Sequence, residues 1–187
     1  MSKRDLKKYV SELNKEQLEE QIIDLYEKFQ PVKVYYNFVF NPKEESLLQD
    51  SKLKISNEYF PIKKLGRRSK PKMRRSVAQK LIKHFVVLGV DPFVIADVML
   101  YNIEIAQAYS SENPLYNIEI AQAYSSENPI KQELFFKSMF NSFEQAVEFI
   151  ISNGIYAEFK TRIGSIFQET VEQKWINQYE FERIISR

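Results

Sequence analysis

Two carboxylates in an otherwise apolar stretch have a spacing that would allow them to act together in metal binding or proton transfer. Asp97 and Glu104 are seven residues apart, which is two helical turns, so a helix would place both on one face. Paired carboxylates in a helical core can bind a metal ion or share a proton. However, the Glu-x-x-His pairs of di-iron bundles are absent from the sequence. We therefore expect a polar stripe that faces a Lys or Arg of a neighbouring helix.

The other residues that commonly perform catalysis are scarce. The chain has no cysteine and a single histidine, His84, which excludes thiolate chemistry, a Cys–His dyad and a zinc site built on several histidines. His84 lies between a basic run and an apolar helix face, and we predict a half-buried packing role for it. The four glycines are isolated, so no phosphate-binding loop is present. We expect no catalytic site, metal or cofactor.

A basic segment, residues 63–83, is the sharpest local feature. It holds ten basic residues and no acidic one, which leaves 17 basic and 25 acidic residues in the rest of the chain. Such polarisation is typical of proteins that bind a phosphate backbone. The candidate anion- or nucleic-acid-binding residues are Lys63, Lys64, Arg67, Arg68, Lys70, Lys72, Arg74, Arg75, Lys80 and Lys83.

Two other interpretations of the basic segment remain open. It can be solvated or dock on acidic residues of the N-terminal helices, or it can bind an acidic protein partner. Tyr59 and Phe60 lie close enough in sequence to stack on bases, but no RNA-recognition, KH or cold-shock signature accompanies them. The acidic residues of the N-terminal helices are Glu16, Glu19, Glu20 and Glu27.

Composition favours a helical protein with a buried core. Of 187 residues, 44% are aliphatic or aromatic, and only four are glycine and seven proline. The N-terminus is charged from its third residue and no apolar run follows it, so we expect neither a signal peptide nor a membrane-spanning segment. We expect a cytoplasmic protein that does not bind membranes.

Capping and periodicity signals divide the first half of the chain into helices. Ser2 with Asp5, and Asn14 with Gln17, have capping spacing, which predicts a helical hairpin that ends at Pro31. Residues 32–40 alternate as a strand would, yet no partner strand is evident, so a helix is the prediction there. A further helix is predicted from Lys43 to Tyr59.

The second half shows clearer helical signals. One helix is predicted from about residue 74 to 88, where Gly89 ends it. Another is predicted to begin at Asp91-Pro92 and to lie buried at the centre of a bundle. A phenylalanine stripe follows Asn128-Pro129 and ends at Asn153-Gly154. It comprises Phe136, Phe140, Phe143, Val147 and Ile150. The next predicted helix has Ile155, Phe159, Ile163, Ile166 and Val171 on one face, and YEFERIIS closes the chain.

These elements predict an all-α fold, either a compact multi-helix bundle or a short array of helical hairpins, with seven to nine helices. Residues 1–30 form the N-terminal hairpin and residues 31–187 the bundle, continuous with it as one domain.

Four stretches together resemble an uncharacterised family of small bacterial helical proteins, a domain of unknown function. They are the hairpin sequence at 2–29, YYNFVFNPKEE at 35–45, RRSVAQKLIKHF at 74–85 and GVDPFVIADVMLYNIEIAQAYSSENPIKQ spread over 89–131. The resemblance covers most of the chain and implies an all-helical cytoplasmic protein. It implies no known activity, ligand or catalytic residue.

The chain departs from that family pattern in an identical tandem repeat. LYNIEIAQAYSSENP occupies residues 100–114 and again 115–129, whereas the family pattern has one copy. Copies this short and undiverged indicate a structural insertion, not a functional motif. The sequence predicts a break at 110–113, then an extra helix from Pro114 to about Tyr124, with the first copy in the core. The surplus apolar residues of 115–124 could then support self-association; they are Leu115, Ile118, Ile120 and Tyr124.

The functional expectation is therefore a non-catalytic interaction module with an unidentified protein partner. The alternative is a nucleic-acid-associated protein that uses residues 63–83.

Overall fold

Helices account for every regular element in the part of the chain that the structure, a computed structural model, describes: residues 2–62, 70–112 and 129–186. Nine helices lie in these ranges, and the same ranges contain no strand. They are α1 (Lys3–Ser11), α2 (Lys15–Lys28), α3 (Gln30–Phe40), α4 (Glu44–Tyr59), α5 (Arg75–Leu88), α6 (Pro92–Glu112), α7 (Pro129–Ser152), α8 (Tyr156–Glu172) and α9 (Gln178–Ile185). The predicted all-α class is confirmed.

The chain divides into two units, residues 1–43 and residues 44–187. The first contains α1, α2 and α3. Ser2 and Asp5 form a reciprocal capping box at the start of α1, and Asn14 and Gln17 form another at the start of α2. Each box satisfies two backbone N–H groups that a helix start leaves unbonded, which is why the chain restarts a helix at Asn14.

Residues 32–40 are helical, as predicted, in α3. Pro31 lies in the first turn of α3, where its missing N–H and fixed φ are tolerated. Proline therefore begins a third helix here as well as marking the end of the second. The Tyr26 and Tyr36 rings meet edge-on at 6.4 Å, and Lys33 Nζ lies 5.8 Å from the Tyr26 ring centroid, which packs α3 on α2.

Helix α6 is the centre of the second unit, with α4, α5, α7 and α8 packed against it. Leu100, Ile103 and Ala106 are fully buried, and buried residues occur on every side of the helix. The prediction of a central buried helix is thus confirmed. Asp91 begins it, because its side chain accepts a hydrogen bond from the Phe93 N–H at 2.7 Å.

Two glycines end helices in the left-handed conformation. Gly89 and Gly154 both have φ of 72°. The next residue in each case, Val90 or Ile155, donates its N–H to a carbonyl five residues earlier and is itself buried. This is the Schellman arrangement, and it confirms both predicted helix ends.

Lys174 holds the corresponding position after α8, with φ of 53°. Trp175 N–H donates to the Thr170 carbonyl at 3.1 Å, as in the two glycine caps. A lysine here bears the steric strain that glycine avoids.

The phenylalanine stripe of α7 is buried along its length, as predicted, and it packs on the C-terminal residues. The Phe143 ring lies 4.8 Å from the Phe181 ring of α9, and the Phe136 ring lies 5.0 Å from Trp175. On α8, however, the inward position is Thr170, whereas Val171 is exposed. The predicted face was one residue out of phase there, because a step from Ile166 to Thr170 keeps the helical period and a step to Val171 does not.

The described part of the first copy, residues 100–112, occupies the core, as predicted. It is continuous with α6, and the helix runs through Ser110 and Ser111 to Glu112. The predicted break is therefore wrong for residues 110–112, which complete the helix. Residue 113, the predicted extra helix and the rest of the second copy up to Asn128 lie outside the described residues.

Candidate functional site

Three helices of the second unit bring the paired carboxylates against two cations. Arg162 of α8 donates from Nε to Glu104 Oε1 at 2.6 Å and from Nη2 to Oε2 at 2.7 Å, a bidentate pair. Its Nη1 bonds Asp97 Oδ1, and Lys52 of α4 reaches Asp97 Oδ2 at 2.6 Å. Lys52 Nζ also lies 5.4 Å from the Tyr101 ring centroid. The predicted polar stripe facing Lys or Arg is confirmed.

Burial and hydrogen bonding act in opposite directions on the pKa values of Asp97 and Arg162. Burial raises the pKa of Asp97, but hydrogen bonds from Lys52 and Arg162 outweigh burial and leave that pKa below its usual value. Burial likewise opposes the charge of Arg162, yet its bonds to Glu104 and Asp97 raise its pKa overall. Carboxylates already engaged by cations are poorly suited to share a proton. Among the described residues, no group of three His, Cys, Asp or Glu side chains could hold a metal ion.

The basic segment is only partly described. Lys63, Lys64, Arg67 and Arg68 lie outside the described residues. Lys70 and Lys72 precede α5 and are exposed, as are Lys80 and Lys83 on α5, while Arg75 is half-buried at its start. The structure therefore places four exposed lysines of this segment within 14 residues of chain.

Arg74 is bound to its own chain. Its Nε and Nη2 donate to both carboxylate oxygens of Glu58 at 2.9 and 2.7 Å, and its backbone N–H donates to Oε2 at 3.1 Å. These hydrogen bonds lower the pKa of Glu58 and raise that of Arg74. The Lys72 and Met73 N–H groups also donate to the Glu58 carbonyl. Glu58 thus fixes residues 72–74, and Arg74 is the least able to bind phosphate among the described members of the predicted set.

The aromatic residues proposed for base stacking are not presented to solvent as a pair. Tyr59 is buried, and its ring packs 5.8 Å from that of Tyr109. Phe60 is half-buried and meets the Tyr109 ring edge-on. Their location at the end of α4 directs them into the core, so base stacking on Tyr59 would require the core to open.

His84 is exposed, which corrects the prediction of a half-buried role. Lys80, His84 and Val87 follow at helical spacing, and all three are exposed. They form the outer face of α5, whereas Phe85 and Leu88 form the inner one. The apolar run around His84 concealed this alternation in the sequence.

A buried polar network connects α6 with α8 and the residues that follow α8, and the sequence pattern did not predict it. Gln107 Nε2 donates to the Ile166 carbonyl at 2.7 Å and to Thr170 Oγ1 at 3.0 Å. Gln173 Nε2 donates to the Gln107 carbonyl at 3.1 Å, and Trp175 Nε1 donates to Gln173 Oε1 at 3.0 Å. The one signal in the sequence is a glutamine within an apolar helix. Because its bonds are satisfied by protein groups, the network fixes helix register and offers no catalytic group.

No helix among the described residues is both long and apolar enough to cross a membrane.

Comparison with known families gives one finding. The model of a family described as "Family of unknown function (DUF6155)" matches residues 1–115 and 112–187. The first segment includes the first copy of the repeat and the second segment includes the whole second copy. Neither curated proteins nor solved structures match the chain.

Proposed function

Because the chain belongs to the DUF6155 family of unknown function, we propose a role that is argued from its own residues. We propose that it is a non-catalytic, cytoplasmic interaction module whose N-terminal unit binds another protein surface. The absence of catalysis is supported by the engagement of Asp97 and Glu104 with cations and by the exposure of the single histidine. Binding is supported by one observation on the N-terminal unit.

That observation is apolar exposure. No residue of α1, α2 or α3 is buried, and ten large hydrophobic side chains between residues 6 and 40 are exposed. Ile22 and Leu25 are spaced as one face of α2, which Phe29 follows at the C-cap, and Leu6 and Val10 are spaced as one face of α1. Contiguous apolar faces that a unit does not bury itself are typical of protein-interaction surfaces.

The charges of the same unit favour a second copy as its partner. Helix α1 carries four basic residues and one acidic residue, whereas α2 carries two basic and five acidic ones. A two-fold arrangement brings the same surface patch of both copies together. Helix α1 of one copy can then face α2 of the other, so that opposite charges surround the apolar contact.

The oligomeric state tests this proposal. We expect light scattering on the full chain to show a dimer at about 100 μM protein that dissociates on dilution and at high salt. Leu6→Glu with Ile22→Glu should give a monomer, because two charges would enter the apolar contact. The control, Gln30→Glu with Asn37→Glu, adds the same charge at exposed polar positions and should remain dimeric.

Two results would count against a second copy. A monomer whose melting temperature falls with Leu6→Glu and Ile22→Glu would mean that these side chains are covered within a single chain. A dimer lost only when residues 115–129 are deleted would instead support self-association through the second copy of the repeat.

The alternative function is binding of a nucleic-acid backbone through residues 63–83. The observation that favours it is the set of four exposed lysines, Lys70, Lys72, Lys80 and Lys83. Gel shifts with mixed RNA and DNA at about 50 and about 200 mM salt should then show binding that weakens steeply with salt. Lys80→Gln with Lys83→Gln should weaken it further, and Lys137→Gln with Lys160→Gln serves as the control. Equal binding by both double variants would eliminate this alternative.

A further inference from the structure

A small pocket lies in the second unit between the end of α4, residues 72–73 and the first half of α7. Its volume is about 270 Å³. The apolar part of its wall is Met73, Leu134, Phe135 and Met139. An apolar cavity of about 150 Å³ is large enough to hold benzene, so this pocket has room for a small ring with one substituent.

A buried hydroxyl in the wall has only a weak acceptor among the described residues. Tyr59 lines the pocket and is only 3% exposed. Its hydroxyl is bonded to Met139 Sδ at 4.0 Å, and a thioether sulfur is a weak acceptor. Burial raises the pKa of Tyr59, so the hydroxyl keeps its proton at neutral pH. Buried donors are normally paired with an oxygen or nitrogen acceptor, and a ligand oxygen would supply one.

A cationic side chain lies at the rim of the pocket, next to a residue with a strained backbone. Lys72 lines the pocket and is exposed. The adjacent Met73 has φ of 48°, a left-handed conformation that is unfavourable for a non-glycine residue. The Glu58 carbonyl and carboxylate hold residues 72–74 in place by hydrogen bonds to three successive N–H groups. Strain maintained in this way is common where a binding site is formed.

The polar groups of the pocket specify the charge of a ligand. Besides Tyr59 and Lys72, the wall contains Ser138, and none of the described residues that line it is acidic. The nearby carboxylate of Glu58 is neutralised by Arg74. An occupant with an apolar body and one anionic oxygen group would match both the apolar wall and these donors.

We propose that this pocket binds a small monocarboxylic acid with an apolar body, of about the size of benzoate. Lys72 and the Tyr59 hydroxyl receive the carboxylate, and Phe135, Leu134 and the two methionines contact the ring.

Titration of the full chain with sodium benzoate, followed by ¹H–¹⁵N correlation NMR, tests the proposal. We expect saturable shifts at residues around Met73 and Met139, with a Kd on the order of 0.1–1 mM. Lys72→Gln should weaken benzoate binding about tenfold, since it removes a charged hydrogen bond, and leave the weaker binding of benzyl alcohol unchanged. Lys70→Gln, a neighbouring exposed lysine that does not line the pocket, is the matched control.

A second variant locates the site independently of charge. Ser138→Leu fills the pocket from a half-buried position, and we expect it to abolish binding of both probes while the rest of the NMR spectrum is retained. Tyr59→Phe should weaken benzoate alone. The proposal is overturned if no saturable shift occurs up to about 10 mM benzoate, or if Lys72→Gln and Ser138→Leu bind benzoate as the unaltered chain does.

Discussion

Arg162 donates hydrogen bonds to two carboxylates and one backbone carbonyl of α6, so its removal leaves partly buried negative charge without that cation. The side chains of Asp97 and Arg162 are 22% and 27% exposed, which limits screening by water. We expect Arg162→Ala to lower the free energy of unfolding by about 2–3 kcal/mol at pH 7, measured by urea denaturation. Lys15→Ala, which removes an exposed pair with Glu19, should change it by less than about 0.5 kcal/mol.

The pH dependence of the same cluster follows from the lowered pKa of Asp97. Because the folded state binds a proton there less readily than the unfolded state, this carboxylate stabilises the fold above its unfolded pKa, near 3.8. That stabilisation is lost as the pH falls through the lower folded value. We expect Asp97→Asn to be less stable than the unaltered chain at pH 7 and to lose less stability in urea melts taken below about pH 4. An unchanged difference between the two proteins from neutral to acid pH would contradict this account.

Lys174 permits a test of backbone strain at a single residue. Its φ of 53° is favourable for glycine and unfavourable for any residue with a Cβ atom. Lys174→Gly and Lys174→Ala both remove the lysine side chain beyond Cβ, so the difference between them isolates the cost of a Cβ atom in this backbone conformation. We expect the glycine variant to be more stable than the alanine variant by about 1 kcal/mol in thermal unfolding. Equal stabilities would mean that this turn relaxes when the lysine is removed.

At the scale of elements, the tandem repeat provides its own control. Ile103 is fully buried in α6, and Ile118 is the equivalent residue of the second copy with identical neighbours along the chain. We expect Ile103→Asp to abolish cooperative unfolding, because a charge would be buried in the core. Ile118→Asp should leave the melting temperature nearly unchanged, since the first copy already occupies the central position. Circular dichroism melts of both variants make the comparison. Equal losses would mean that both copies are needed for the core.

Local signals explain which elements could be predicted from sequence. Capping residues such as Asn14 and Gly154, and the regular spacing of the phenylalanine stripe, depend on neighbours within a few residues. The start of α2 and the end and inward face of α7 could therefore be predicted. Val171 was predicted to face inward because it is apolar, although Thr170, one position earlier, continues the helical period. Only the packed structure shows that Thr170 points inward, where its hydroxyl donates to the Ile166 carbonyl.

Contacts between distant residues account for what could not be predicted. The sequence indicated that Asp97 and Glu104 would face a cation, but Arg162 is 65 residues from Asp97 and many lysines and arginines were equally available. Glu58 could not be recognised as the partner of Arg74, nor Gln107 as the start of a buried network. The pocket lined by Tyr59, Lys72 and Met139 likewise depends on how α4 and α7 approach each other.

At the scale of the whole molecule, the two units differ in how much they bury. Every residue that is buried among the described ones belongs to residues 44–187. We expect residues 44–187 expressed alone to retain a cooperative thermal transition by circular dichroism. Residues 1–43 alone should be largely unfolded when dilute, because isolated helices of fewer than about 15 residues are marginal in water, and should gain helicity as their concentration rises. A fragment 44–187 without a cooperative transition would mean that the N-terminal unit contributes to that core.

Trp175 gives the molecule an internal optical reporter. It is the only tryptophan of the chain, it is 1% exposed, and its ring lies within 6 Å of the rings of Phe135, Phe136 and Phe181. Its emission therefore senses the contact between α7 and the C-terminal residues, and should shift to longer wavelength when water reaches the indole. No tryptophan lies in residues 1–43, so unfolding followed by tryptophan emission reports on the second unit directly. Helical circular dichroism signal that is lost before the emission shifts can be assigned to other parts of the chain.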